Sequence, residues 1–367
     1  MKAHSFAAAA LSALSLAGAA AQTQGVSVYG ILDTGVEYVN HVGAAGTSLK
    51  RMPGQTGALP SRIGFRGSED LGDGLRAIFT LEQGLLPDTG TFGQGGRAFG
   101  RQSYVGLSGT WGALTFGRQY TMLFWSLIDA DILGPGVYSS SSLDSYIPNA
   151  RADNSIAYRG TFGGFTAGAT YSLGRDAINA GPTPAGTNCA GEGTPDSRAC
   201  REWSALAKYD AANWGGALAV DEIRGGAGAF GGLTNSALRD QRISVNGHFK
   251  FASTKLAAGL IRRNNDGSAA TPRSDLWYVG AAQSLSDFWT LEGQVFRLSF
   301  KDSGNRATLG ALRLSYLLSK RTMVYATAGH IVNDGTLALS VSAGQPGSNP
   351  AAGVSQTGAM VGVRHSF

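Results

Sequence analysis

An all-β fold, closed as a transmembrane antiparallel barrel, is what three observations predict for this chain of 367 residues. Glycine is abundant at 54 residues while charged residues reach only 15%, against usual shares of about 7% and about 25%. Mean hydropathy is -0.04 and the only long apolar run is N-terminal, which excludes a polytopic helical membrane protein. From Gly25 onward, strand-like runs alternate with short Gly/Asp/aromatic turns and longer polar loops, the form of an antiparallel meander. Only every other strand residue of such a barrel faces lipid, so its mean hydropathy stays near neutral. The hydrophobic share of 43% is ample for a core and the glycines keep no three-residue period, so disorder and collagen do not fit.

Residues 1–21 combine Lys2, an apolar Ala/Leu stretch and Ala19-Ala20-Ala21 before Gln22. That pattern reads as a secretory signal peptide cleaved after Ala21, leaving a single domain over 22–367. Loss of Lys2 lowers the formal charge from +5 to +4, a mild excess with no Lys/Arg run, so no nucleic-acid partner is expected. Cys189 and Cys200, in a Gly/Pro/Thr-rich stretch of an exported chain, suggest one disulfide closing a short surface loop. Zinc needs more ligands than that segment offers, and no cofactor is expected.

The short turns are the clearest landmarks along the chain: Asp70–Gly74, Thr110–Gly112, Thr161–Gly164, Ala212–Gly215, Ala252–Ser253, Ser286–Phe288 and Ser319–Arg321. Longer loops fall at about 41–60, 88–98, 120–150, 174–200, 226–239, 265–273, 302–306 and 334–355. Eight loops and seven turns separate sixteen strands, an even number that puts both termini on the short-turn side. No Pro/Ser-rich linker interrupts the series.

Alternation supports this count. In 241–251, Ile243, Val245, Phe249 and Phe251 share one face, opposite Arg242, Ser244, Asn246, His248 and Lys250. In 307–318, Leu312, Leu314, Tyr316 and Leu318 oppose Ala311, Arg313 and Ser315. A soluble sandwich would also alternate, but its enclosed core could not hold so many unpaired cations. A charged face that lines water, with an apolar face on lipid, meets both needs. Trp111, Phe162, Trp214 and Phe288 at short turns fit an interfacial girdle. An enzyme on this scaffold would need a His beside a Ser or Asp, yet His41, His248, His330 and His365 lie in no catalytic motif. Gly93-Gln94-Gly95-Gly96 lacks the strand-to-helix context of a phosphate loop.

Five segments, in order, carry a resemblance: Val26–Asp33 (VSVYGILD), Ser61–Gly72 (SRIGFRGSEDLG), Gly100–Ser108 (GRQSYVGLS), Phe116–Gln119 (FGRQ) and the terminal Val363–Phe367 (VRHSF). They resemble the Gram-negative general diffusion porins, nearest the betaproteobacterial branch. The resemblance implies a homotrimer of sixteen-stranded outer-membrane barrels, each with its third loop folded inward. It also implies passage of small hydrophilic solutes and ions, and contact with outer-membrane lipid and lipopolysaccharide. A substrate-specific channel or surface-binding barrel is the alternative, which a stacked aromatic track along the lumen would favour.

Residue roles follow from the same resemblance. Arg62, Arg101 and Arg151 match the wall arginines of the pore constriction, and Asp131, with Asp129, stands for the opposing acids of the third loop. Where many members of that family carry Pro-Glu-Phe-Gly-Gly, this chain has Leu133-Gly134-Pro135-Gly136-Val137-Tyr138, so one acid is missing and the eyelet tilts positive. Parity sends Arg66 to the lumen beside Arg62, and Asp33, Glu37 and Glu82 are lumenal acids. Arg118, on the outer face with Leu114 and Phe116, is expected at a subunit contact, since a lone lipid-facing charge is costly. Phe367, outward with Val363 and Val361, resembles the signal read by the barrel assembly machinery.

Overall fold

The computed structural model describes residues 25–174, 189, 191–192, 195–344 and 346–367. The expected export signal at 1–21 lies outside them. In the first half run β1 (Gly25–Val42), β2 (Thr47–Arg51), β3 (Arg62–Gly72), β4 (Leu75–Leu86), β5 (Thr91–Phe92), β6 (Gln102–Gly109), β7 (Gly112–Tyr120), β8 (Arg151–Phe162) and β9 (Phe165–Ser172). In the second half run β10 (Glu202–Asp210), β11 (Trp214–Arg224), β12 (Arg239–Phe251), β13 (Thr254–Asn265), β14 (Arg273–Ser284), β15 (Trp289–Phe300), β16 (Arg306–Leu317), β17 (Thr322–Asp334) and β18 (Gln356–Ser366).

Neighbouring strands pair antiparallel, and β18 returns to β1 from Ile31 opposite Ser366 to Val39 opposite Gly358, which closes the sheet. One half of β1 pairs with β3 and the other with β2, so these two are a single wall strand interrupted at 52–61. β5 is a two-residue rung on the end of β4. Counting β2 with β3 and leaving out β5, the described residues make the sixteen wall strands that the turns predict. Closure removes every edge on which unpaired backbone would meet lipid.

Side-chain alternation carries this wall through the bilayer. Val245, Phe249, Leu312, Leu314 and Val361 are exposed outward, while Arg242, Ser244, Arg313 and Met360 are buried inward. At the seam the amide of Gly30 donates to the Phe367 carbonyl at 3.0 Å, and the Phe367 amide returns a bond to Gly30 at 3.1 Å. Gly30 has to be glycine here, because a Cβ would collide with the Phe367 ring. The final aromatic is thus part of the closing hydrogen-bond ladder and presents its ring to the outside.

Residues 121–150 form the third long loop, L3, which turns into the lumen after Tyr120 and carries a short helix, α1 (Met122–Leu127). Its apolar residues Leu133, Val137, Tyr138, Leu143 and Ile147 pack on Ile261, Leu276, Phe296, Leu309 and Ile331 of the inner wall. This corrects the picture of a uniformly polar interior. From β13 to β17 the inward face is an apolar platform, and L3 covers it. The fit is close at Gly358, where a Cβ would stand 2.8 Å from the Tyr138 hydroxyl oxygen. Cys189 and Cys200 are disulfide-bonded with their Cα atoms 5.2 Å apart.

Candidate functional site

With L3 occupying one side of the lumen, the opposite wall, β3 to β8, is left to line the passage. Arg62 opens β3, Glu82 lies on β4, Arg101 immediately precedes β6, Tyr120 ends β7 and Arg151 opens β8. Pairing of Gly64 with Glu82, Glu82 with Gln102 and Tyr120 with Arg151 brings these side chains to one level. Arg101 Nε lies 2.7 Å from one Glu82 oxygen and Arg62 Nε 3.5 Å from the other. Tyr29 also donates its hydroxyl to Glu82 at 3.0 Å.

Tyr120 joins the remaining arginine to this group. Its hydroxyl oxygen accepts from Arg101 Nη2 at 2.6 Å and from Arg151 Nη2 at 2.8 Å. The Arg151 guanidinium also stacks 4.5 Å from the centre of the Tyr120 ring and reaches Asn149 at 3.2 Å. The sequence reading placed all three arginines together but passed over Tyr120. The signal was its position directly after Phe116-Gly117-Arg118-Gln119, at the junction of strand and loop. Glu82 too gains a larger part than expected, since it pairs with both Arg62 and Arg101, while Arg151 is tied to the group through Tyr120.

A cavity of about 210 Å³ on the long-loop side of L3 is lined by Arg101 and Arg151 on the wall and by Pro135, Ser141, Pro148 and Asn149 on L3. No carboxylate is among its described lining residues. The expected confrontation of wall arginines with L3 acids is therefore corrected. Asp129 pairs with Lys208 at 2.5 Å, and Lys208 also meets Asp210 at 2.9 Å. Asp131 is buried on the far side of L3 and accepts from Ser140 at 2.7 Å. Asp144 is held by Arg242 at 2.8 Å. The physical reason is competition: the wall beneath L3 offers its own cations and hydroxyls, nearer than the arginines across the gap. Burial pushes the Asp131 carboxyl up to about 6, against the hydrogen bonds of Ser140 and Gln294 and the Arg313 charge. Burial opposes ionisation of Asp144 as well, but the Arg242 and Arg263 charges outweigh it and hold that carboxyl below the usual range.

Across L3 lies a second cavity of about 110 Å³, bounded by Phe124, Leu127, Ile128, Ile132 and Leu133, with Asp131, Arg313 and Arg364 as its charged groups. Pro135 and Pro148 line both cavities, so the edge of L3 separates an outer chamber from an inner one. The other lumenal acids are engaged. Asp33 accepts from the Tyr325 hydroxyl at 2.6 Å and the Leu59 amide at 2.8 Å, which anchors the first loop. Glu37 pairs with Arg51 at 2.6 Å. Arg66 stands exposed, 5.2 Å from the centre of the Tyr29 ring.

Arg118 is not the exposed outer charge that strand parity implies. It is buried within the chain, paired with Asp153 at 2.5 Å and donating to the Gly100 carbonyl at 2.7 Å. A bulge between β7 and β8, with Asn154 at a φ of 45°, brings Asp153 into reach. The charge expected to need a neighbouring subunit is thus compensated within the chain, and its pairing with Asp153 gives it a role in the wall itself.

Comparison with known proteins agrees with this geometry. A family model described as Gram-negative porin matches residues 7–336. Outer membrane porin protein 32 of Delftia acidovorans is 32% identical over 98% of both chains. An outer membrane porin protein of Bordetella pertussis is 28% identical over 96% of both. Among solved structures, an anion-selective porin from Comamonas acidovorans superposes with a TM-score of 0.76 at 27% identity, covering 94% of this chain and all of the other.

Proposed function

Because this chain belongs to the Gram-negative porin family, and is an outer-membrane channel for passive diffusion, we propose that its constriction favours anions. One observation carries the proposal: Arg101 and Arg151 line the outer chamber, whose described lining residues include no carboxylate, and among the described residues the three guanidinium groups of Arg62, Arg101 and Arg151 gather around the single carboxylate of Glu82. Low-dielectric walls focus that net positive charge into the narrowest part of the passage. The Comamonas protein, whose title calls it anion-selective, is consistent with this. The solutes are small hydrophilic molecules and ions, which pass without any catalytic step.

Acidity should modulate the preference. Asp131 faces Ser140 on L3, Gln294 on β15, Arg313 on β16 and, across the inner chamber, Arg364 on β18; Glu292 on β15 is paired with Arg313 at 2.6 Å. Its carboxyl ionises at about 6, so it is negative at pH 7.5 and neutral at pH 5. Anion preference should therefore rise on acidification through pH 6, measured as reversal potential in a fixed salt gradient. An unchanged or falling preference would remove Asp131 from the conducting path.

Membership of the family also supports a homotrimer seated among outer-membrane lipid and lipopolysaccharide, with residues 1–21 as export signal and Phe367 as the mark for the barrel assembly machinery. Unheated protein in mild detergent should migrate as one large species and fall to about one-third of that mass on boiling, a change that closed antiparallel barrels resist until heated. Migration as a monomer under every gentle condition would count against the trimer.

A further inference from the structure

We infer that the inner chamber, between Phe124 of L3 and Arg364 of β18, is a subsite for small organic monoanions that carry an aromatic ring, such as aryl carboxylates. The inference rests on the anion-favouring reading above and names a solute class for it.

The shape of the chamber comes first. Phe124, Leu127, Ile128, Ile132 and Leu133 give it an apolar body of about 110 Å³. Apolar protein cavities of roughly 150 Å³ take up benzene, so the space is of the order needed for a single ring open at one side. A chloride or acetate ion gains nothing from such walls. A ring removes apolar area from water there.

The charge comes second. Arg313 is already engaged, 2.6 Å from Glu292 and directed at the Ala58 and Leu133 carbonyls at 3.4 and 3.5 Å. The Arg364 side chain lines the same chamber and makes no ion pair or hydrogen bond among the described residues. Asp33, its neighbour across β1, is occupied by Tyr325 and Leu59. Beside Arg313, already paired with Glu292, and Asp131, held by Ser140, one guanidinium thus faces the apolar wall of the niche without an ion-pair partner, the arrangement that a carboxylate on a ring fills by a two-point hydrogen bond.

Neighbouring rings fix the aromatic wall of the niche. Phe124 stacks on Tyr120 with ring centres 3.8 Å apart and meets Trp125 edge-on at 5.8 Å. Arg151 caps Tyr120 on the outer-chamber side, and Arg159 stands 3.7 Å from the centre of the Trp125 ring. The Phe124 ring that lines the inner chamber is therefore braced by the Tyr120 and Trp125 rings, which hold it in place as one wall of the niche.

Purified channel in a planar bilayer tests the assignment with sodium benzoate and sodium acetate added at equal concentrations in potassium chloride. Benzoate should reduce the chloride current saturably, with an apparent affinity at least about tenfold tighter than acetate, the discrimination a hydrophobic pocket gives. Phe124→Ala and Arg364→Gln should each bring benzoate down towards the level of acetate. Equal block by the two anions in the unaltered channel overturns the inference, as does undiminished benzoate block in both variants. The chloride-to-potassium reversal potential of the same membranes separates the two levels. Anion preference without benzoate discrimination sinks the subsite alone, whereas cation preference sinks the underlying reading and the subsite with it.

Discussion

Replacing Arg62 and Arg101 together with glutamine should abolish the anion preference and carry the channel to or past neutrality. Three guanidinium groups and one carboxylate meet at this level, so the double change leaves Arg151 facing Glu82 with no net charge. A unit charge about 8 Å from the ion path contributes about 0.5 kcal/mol even in a water-like dielectric, with opposite sign for the two ions. Two charges therefore change the chloride-to-potassium permeability ratio by about thirtyfold. Glu82 is buried, and removing both of its arginines leaves a costly charge held by Tyr29. Glu82→Gln on its own should act in the opposite sense and strengthen the anion preference. Reversal potentials of the three proteins at low salt provide the check, and a preference unmoved by Arg62→Gln/Arg101→Gln would exclude these arginines from the selective step.

Phe296→Ala should release L3 from the wall while leaving the barrel closed. Phe296 is fully buried on the inward face of β15, at the interface that L3 covers, with its ring 6.2 Å from that of Tyr278. Truncating a buried phenylalanine costs about 3–5 kcal/mol. That loss falls on the docking of one loop, because the wall itself is held by ladders to β14 and β16 that the substitution does not touch. The expected result is a larger and noisier single-channel conductance with weaker selectivity, in protein that still shows the mobility shift on heating. Unchanged conductance would mean that L3 is held by its polar anchors, among them Asp144 with Arg242 and Leu133 with Gln294.

The sequence made the wall legible because its periodicity is enforced by two solvents, lipid outside and water or L3 inside. Each short turn named from Asp70–Gly74 to Ser319–Arg321 joins two observed strands, and the inward placement of Arg242 and Arg313 follows their parity. Parity was less informative where both faces are apolar. Leu276 with Trp277 and Phe296 with Val295 are adjacent pairs whose inward members were a docking surface for L3, a pattern that marks strands covered on both sides. The clustering of Arg62, Arg101 and Arg151 was accessible through the motifs. The partners of Asp129, Asp131 and Asp144 were not, since Lys208, Ser140 and Arg242 meet them only after L3 has folded back on a distant wall. The intrachain partner of Arg118 was hidden for a local reason: strand parity assumes an unbroken ladder, and the bulge at Asp153 and Asn154 supplies a carboxylate that alternation alone does not foresee.

The most direct measurement of the central claim is the reversal potential of the unaltered channel across a potassium chloride gradient, repeated as ionic strength rises. The excess of three guanidinium groups over the Glu82 carboxylate predicts a chloride-favouring potential at about 0.1 M salt that fades towards 1 M, as the Debye length falls from about 10 Å to about 3 Å. A potassium-favouring potential at low salt, or one indifferent to salt, would contradict the account.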